Sequence, residues 1–202
     1  MDVSLQSIAH ARQNDLLDLS ARMAGRFSYP DSAINLFPGE HYRLLAGMVQ
    51  ALRPKLVVEI GTAEGLSALS LKKYLPIDGK VATFDIVPWR NYPRTCLLEN
   101  DFHSDTLVQV IADLAQRETF AAYSSLLSQA ELIFVDAPKD GVFEPSLLKN
   151  FETIDFAAKP IVVFDDTRLW NMLRFWREIK MPKMDLTSFG HWSGTGVCEW
   201  DR

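Results

Sequence analysis

Two apolar runs in the chain end on acid. "LIFVDAPKDG" (Leu132–Gly141) stops at Asp136 and carries Lys139 on the same short segment, and "IVVFDDTRLW" (Ile161–Trp170) stops at the pair Asp165 and Asp166. Carboxylates gathered at one edge of a sheet lose stability unless something cationic neutralises them. Hard oxygen donors of this kind suit Mg²⁺, Mn²⁺ or Ca²⁺. One dication against three carboxylates leaves a charge of about −1, which the Lys139 ammonium offsets. Such an ion would lower the pKa of a hydroxyl bound to it, and Lys139 could take the proton if the cation and partial burial depress its own pKa. The plainer alternatives are that Asp166 or Thr167 caps the following helix, and that Lys139 pairs with Asp140 at the surface. His191 is a second candidate base or a solvent-exposed imidazole. His10, His41 and His103 stand at no usable spacing.

A second constellation lies in "VVEIGTAEGLSALSL", an apolar run followed by Glu59, Gly61 and Gly65 and then a helical pattern. Glycines there allow a tight turn and close backbone approach, and the free N–H groups of a helix start favour an anionic group. A dinucleotide fingerprint needs G-x-G-x-x-G, whereas this loop has Thr62 and Ala63 at the place of the second glycine, a poor cradle for a pyrophosphate. The next run, "VATFDI", ends in Asp85, placed to accept hydrogen bonds from both hydroxyls of a ribose. Acids on two consecutive strands mark an adenosine-containing ligand.

These residues need a scaffold. "KLVVEIG", "KVATFDI", "LIFVDAP" and "PIVVFDD" are short, nearly continuous apolar runs separated by helix-like segments, the pattern of parallel strands buried on both faces. "SDTLVQVIADLAQ" predicts a crossover helix behind a Ser104 cap, with Leu107, Val110, Ile111 and Leu114 inward. "RLWNMLRFWREIK" predicts another, with Leu169, Met172, Leu173 and Trp176 inward, and "CLLEND" a faint strand. The tail "KMDLTSFGHWSGTGVCEWDR" has two β-prone stretches around "HWSGTG", an antiparallel hairpin added to the parallel sheet. Upstream, Leu5, Ile8, Leu16, Leu19 and Met23 predict an amphipathic first helix. "RFSYPDSAINLFPGE" predicts a loop whose Tyr29 and Phe37 could close over a ligand. A helix from about residue 40, with Leu45, Met48, Val49 and Leu52 on one face, should end before Pro54. The expected whole is one α/β domain over residues 1–202, doubly wound and Rossmann-like, with residues 1–37 as helix and loop and 38–202 as core.

The totals agree with one packed domain: 202 residues, 48% apolar, and a net charge of −5 without a basic run. Duplex nucleic acid is disfavoured. No apolar stretch reaches membrane-spanning length, and no signal-type leader precedes the first helix, so a soluble cytoplasmic protein is expected. Cys96 and Cys198 form no metal-type spacing, and a reduced compartment is the simpler reading.

The segment "VVEIGTAEG", with "TFDI" after it and the terminal hairpin, resembles the class I S-adenosylmethionine-dependent methyltransferases over roughly residues 38–200. The resemblance implies a seven-stranded, mostly parallel sheet with the last strand antiparallel and inserted. It implies S-adenosylmethionine as cofactor, with Glu59, Gly61, Thr62 and Gly65 at its methionine end and Asp136 close by. Asp85 would hold the ribose, Ile86 would pack on adenine, and Asp101 and Phe102 would reach its edge. "DAPK" resembles the D-x-x-K element of metal-dependent catechol-type O-methyltransferases, in which the Asp binds Mg²⁺ and the Lys accepts the hydroxyl proton. "FDDT" carries Asp166 where those enzymes have an amide, as in metal-dependent sugar and macrolide O-methyltransferases. The implied metal ligands are Asp136, Asp165 and Asp166, the implied catalytic groups Lys139 and His191. The implied partner is a small hydroxylated acceptor, a sugar diol or a phenol, with Trp170 and Trp192 as walls of its pocket and Trp176 in the core.

Other readings remain open at this level. A metal-free methyltransferase acting on a carboxylate or amine would keep the fold. A Mg²⁺-binding signalling receiver would share the acid pair, Asp and Lys, but places the pair first in a much shorter chain. An NAD oxidoreductase lacks its glycine fingerprint. The first helix could cover its own site or a partner subunit's, so a homodimer is among the states to test.

Overall fold

The computed structural model describes residues 2–27, 34 and 41–201. Seven strands form one sheet: β1 (Leu56–Ile60), β2 (Lys80–Asp85), β3 (Leu107–Ile111), β4 (Leu132–Val135), β5 (Ile161–Asp165), β6 (Lys183–Asp185) and β7 (Thr195–Glu199). Their order is β3-β2-β1-β4-β5-β7-β6. The first five run parallel, and β7 is inserted antiparallel between β5 and β6, with Asp165 opposite Thr195. This is the expected topology, hairpin included.

Both faces of the sheet are buried, which explains why the strands read as unbroken apolar runs rather than alternations. Val58, Ile60, Phe84, Ile133, Val135 and Phe164 face one core with Phe120, Phe151, Met172 and Phe175. Those side chains come from α5 (Arg117–Ala122), α7 (Phe143–Phe151) and α8 (Trp170–Glu178), with the short α6 (Ser124–Leu127) before β4. Val57, Val81, Phe134, Val163 and Val197 face the other core. Against it pack Leu44, Leu45 and Val49 of α3 (His41–Leu52) and Ala68 and Leu71 of α4 (Leu66–Lys73). Each of these Val, Leu, Ile, Phe and Met side chains contributes about 1.5–3 kcal/mol on burial, so the strand ends are held on a rigid frame.

Several expectations fail at defined places. Residues 107–111 are the edge strand β3, paired from Val81↔Leu107 to Asp85↔Ile111, and not a helix. The apolar spacing there fits either structure over so short a run, and the β-branched Val108, Val110 and Ile111 go with the sheet once β2 offers a free edge. "CLLEND" forms no strand; Glu99–Phe102 is a 3-10 turn. The first helix is two, α1 (Asp2–Ala11) and α2 (Leu17–Met23). Asn14 breaks it, its Nδ2 donating to the Arg43 carbonyl at 2.8 Å while its own carbonyl accepts from Arg43 at 2.7 Å. Leu5 is exposed, and on α8 the inward residues are Met172 and Phe175 while Leu173 is 44% exposed.

Tyr29 and Phe37 lie outside the described residues. Cys96 and Cys198 are buried free thiols. No helix among the described residues is long and apolar enough to cross a membrane.

Candidate active site

The parallel strands deliver their carboxyl ends to one edge of the sheet, where open α/β folds bind ligands. A cavity of about 460 Å³ opens there, lined by Gly61, Asp85, Ile86, Tyr92, Asp136 and Phe143 among others. The loop after β1 shapes one wall. Gly61 has φ +107, and a Cβ built on it would lie 1.9 Å from the Asp136 carbonyl oxygen. No side chain fits at that crossing of β1 and β4, which accounts for the glycine. Gly65, with φ +83, is the residue just before α4, at its N-cap.

Asp85 fastens this loop. Its Oδ2 accepts the backbone N–H groups of Thr62 and Ala63, each at 3.0 Å, and its Oδ1 that of Val87 at 2.9 Å. The Tyr92 hydroxyl donates to the same carboxylate at 3.2–3.3 Å, and partial burial together with Asp85 pushes that phenol up to about 12. Ile86 is 66% exposed and offers an apolar wall.

Glu59 does not line the cavity. It is fully buried on the α3–α4 side, and neither carboxyl oxygen has a hydrogen-bond partner of good geometry. Burial pushes its pKa up to about 8, and the nearby hydroxyls of Ser67 and Thr83 only partly counter this. Thr62 turns its hydroxyl to Thr83 at 2.7 Å.

Asp101 and Phe102 also stand away from this cavity. Asp101 pairs with Arg22 at 2.6 Å and accepts the Leu98 N–H at 2.7 Å, and Phe102 stacks on Trp89 at 5.3 Å. Ala112 and Asp113, just past β3, line the cavity instead. Reading β3 as a helix hid these two residues. The signal that finds them is another apolar run ending on an acid, "LVQVIAD".

The second wall is acidic. Asp136 follows β4 and borders the cavity, and its Oδ1 receives Lys139 Nζ at 3.0 Å. Lys139 is 12% exposed and pairs with Asp136, not with Asp140. Enclosure by protein atoms and the neighbouring Asp165 push the Asp136 carboxyl up. Burial alone would lower Lys139, but Asp136, Asp165 and Asp166 outweigh it and raise its pKa, opposite to the depression expected of a base.

Asp165 ends β5 and is 4% exposed. Asp166 follows with φ +61, a left-handed conformation that Asp tolerates better than most residues. It caps no helix: α8 begins behind Leu169 without a side-chain cap, and the Asp166 carboxylate instead accepts the Ser193 hydroxyl. The β5–β7 pairing brings the 186–194 loop over this acid pair. His191 Nδ1 lies 3.5 Å from Asp165 Oδ1 and 3.3 Å from Asp166 Oδ1, and His41 Nδ1 is 3.9 Å from Asp165 Oδ1 on the other side. Burial alone would lower His191, but Asp165 and Asp166 push it up to about 10. Burial would raise Asp165, yet the two histidines hold it below the ordinary carboxylate range. Partial burial, then the fields of Asp136 and Asp165, keep the neighbouring Tyr42 phenol protonated well above its usual range.

Asp165 decides whether a divalent ion fits. Its Oδ1 is buried without a hydrogen-bond partner, a state costing about 1–3 kcal/mol that a cation at that point relieves. One ligand atom each from Asp165, Asp166 and His191 falls within 4.8 Å of the others. Deprotonated oxygen and imidazole donors at this spacing fit a small dication. His41, Tyr42 and Ser193 join the cluster with no sequence spacing to announce them. Trp170 and Trp192 are 88% and 59% exposed, Trp170 beside a surface cavity lined by α8, and Trp176 packs partly against the core.

Comparison with solved structures agrees with this fold. The chain superposes on a putative caffeoyl-CoA O-methyltransferase from Staphylococcus aureus with TM-score 0.63 and 14% identity, covering 96% of each chain. It superposes on an O-methyltransferase from Bacillus cereus in complex with SAH with TM-score 0.56 and 15% identity, over 96% of this chain and 90% of that one. The fold is therefore that of the class I methyltransferases. A family model described as O-methyltransferase matches residues 29–172, and the chain belongs to that family. A probable caffeoyl-CoA O-methyltransferase from Dictyostelium discoideum is 26% identical over 137 residues, which are 65% of this chain and half the length of that relative.

Proposed function

We propose that the chain transfers the methyl group of S-adenosylmethionine to a hydroxyl of a small molecule with the help of a divalent ion. The acceptor is one with neighbouring oxygens, a sugar diol or a catechol-like phenol. One observation carries the reading: Asp136 borders the cavity containing Asp85 and also feels the charge of the neighbouring Asp165, a member of the acid cluster. Donor and acceptor sites thus share a wall.

When bound, the cofactor supplies an already activated methyl group, and the dication supplies polarisation of the acceptor hydroxyl. Asp85 would hold the ribose, with Tyr92 yielding its weak hydrogen bond, and Ile86, Leu114 and Phe143 would enclose the adenine beside Asp113. Gly61 lets the backbone pass close to the methionine end. Asp165 and Asp166, with Asp136 adjacent, would hold the ion. Lys139 holds its proton while the carboxylates are bare; with an ion neutralising them it would release that proton to solvent, and the neutral amine would then accept the proton of the acceptor hydroxyl. The β4 and β5 ends fix these groups in register, which supplies orientation.

Two measurements test this. Calorimetric titration should show saturable S-adenosylmethionine binding and none of NAD; the reverse overturns the cofactor assignment. Methyl transfer to a panel of vicinal diols and phenols should be abolished by EDTA and by Asp165→Ala. Transfer indifferent to both leaves a metal-free methyltransferase.

A further inference from the structure

Asp165 Oδ1 is a buried carboxylate oxygen that receives no hydrogen bond, yet two imidazole nitrogens converge on it. His41 Nδ1, on a residue 4% exposed, is itself buried and without a partner. The two rings stand 5.4 Å apart, centroid to centroid, one on α3 and one on the loop before β7. An acid pair meant only for Mg²⁺ or Ca²⁺ has no use for nitrogen there, because those ions take oxygen donors.

The distances separate two arrangements. A charge-assisted N–H···O bond spans roughly 2.7–2.9 Å. His191 Nδ1 stands at 3.5 Å from Asp165 Oδ1 and 3.3 Å from Asp166 Oδ1, too far for that. Donor atoms each about 2.1 Å from one ion lie roughly 3.0–3.4 Å from one another in octahedral or tetrahedral shells. The His191 separations are those of neighbouring ligands. The Ser193 hydroxyl donates to Asp166 and lies 2.5 Å from His191 Nδ1, so it holds both at one place on the loop in the metal-free state and would turn from Nδ1 when that nitrogen meets an ion.

We propose that His191 Nδ1 is a direct metal ligand beside Asp165 and Asp166, and that the site takes a first-row transition dication such as Mn²⁺, Fe²⁺, Co²⁺ or Zn²⁺ in preference to Mg²⁺ or Ca²⁺. The inference rests on the metal-dependent reading above and narrows it. Imidazole raises affinity along the transition series and does little for Mg²⁺. His41 Nδ1 faces the same oxygen from α3 at 3.9 Å.

The test uses the chain stripped of metal and titrated separately with Mn²⁺, Co²⁺, Zn²⁺ and Mg²⁺ by calorimetry, with spin-echo detection of ¹⁴N coupling to bound Mn²⁺. The transition ions should bind at least about tenfold more tightly than Mg²⁺. ¹⁴N modulation should appear on Mn²⁺ in the wild type and vanish in His191→Ala, which should lose about 10- to 100-fold in Co²⁺ and Zn²⁺ affinity and keep its Mg²⁺ affinity. The wild-type ¹⁴N signal needs no variant, so a misfolded His191→Ala does not remove the test. Ion binding with equal affinities and no ¹⁴N modulation overturns the inference but leaves metal dependence standing. Modulation persisting in a folded His191→Ala assigns the nitrogen elsewhere and also overturns it. No binding of any ion overturns both, and leaves His191 as a cation that neutralises the acid pair.

Discussion

Lys139 Nζ stands 3.0 Å from Asp136 Oδ1 and 2.9 Å from the Ala137 carbonyl, so one short turn after β4 fixes an ammonium against a carboxylate that borders the cavity. Both acceptors lie on its own turn, and the ammonium cannot move far without losing them. In the proposed reaction the proton acceptor has to be oriented before the acceptor hydroxyl arrives, and this anchoring suits that role.

Replacing that ammonium should therefore cost turnover more than binding. Lys139→Met is expected to lower kcat by about 10²–10⁴-fold while S-adenosylmethionine affinity, measured by calorimetry, changes little. Lys139→Arg should not rescue, since a guanidinium does not give up its proton. A Lys139→Met enzyme with near-normal kcat would remove the lysine from the chemistry.

At Gly61 the test is one of stability. A Cβ there meets the Asp136 carbonyl at 1.9 Å on a backbone with φ +107. Gly61→Ala should lose at least about 2 kcal/mol from strain and overpacking, read as a lower denaturant midpoint at unchanged slope. A midpoint equal to wild type would mean that β1 and β4 can move apart there.

Asp85 fastens the loop and, in the proposed function, also holds the ribose, two tasks that substitution can divide. Asp85→Ala leaves the N–H groups of Thr62, Ala63 and Val87 without their acceptor and should weaken S-adenosylmethionine binding by about 10- to 100-fold, with a stability loss of about 1–3 kcal/mol. Tyr92→Phe removes only the 3.2–3.3 Å hydroxyl contact, so it should leave affinity the same or tighter. Equal losses in the two variants would contradict the loop-fastening role.

Glu59 sets a pH dependence whose sign is fixed. Its carboxyl titrates near 4.5 when exposed and is pushed up to about 8 in the fold. The folded state therefore binds the proton more tightly across that interval, and stability falls as pH rises from about 4.5 to 8. Glu144, fully buried and pushed by burial up to about 7, acts in the same direction. Glu59→Gln should remove much of the slope, so its melting temperature should gain on wild type between pH 5 and 8. Parallel melting curves across that range would show that Glu59 is ionised in the fold.

The sheet was legible because four of its strands are apolar on both faces and each ends on Glu59, Asp85, Asp136 or Asp165, a signal independent of tertiary detail. β3 was not, since Leu107, Val110, Ile111 and Leu114 also satisfy a helical spacing; only the free edge of β2 decides between them. With β3 misread, Asp113 went unnoticed as a residue of the cavity wall. The carboxylates of the acid wall and Lys139 could be read from their position after strands. His41 and Tyr42 could not, because they reach Asp165 and Asp136 through the packing of α3 across the sheet, a relationship that no local spacing encodes. His191 was visible as a residue but not as a neighbour of Asp166, which depends on how the loop before β7 folds back.

The inserted strand has a further consequence. Residues 195–199 saturate the backbone of Ile161–Asp165 along its whole length. A chain cut before Thr195 would expose that row of amide and carbonyl groups beside an apolar face, an open template for pairing with other molecules. Such a fragment should precipitate or form sticky multimers rather than persist as a quiet inactive monomer, so the hairpin guards solubility as well as carrying an imidazole to the acid pair.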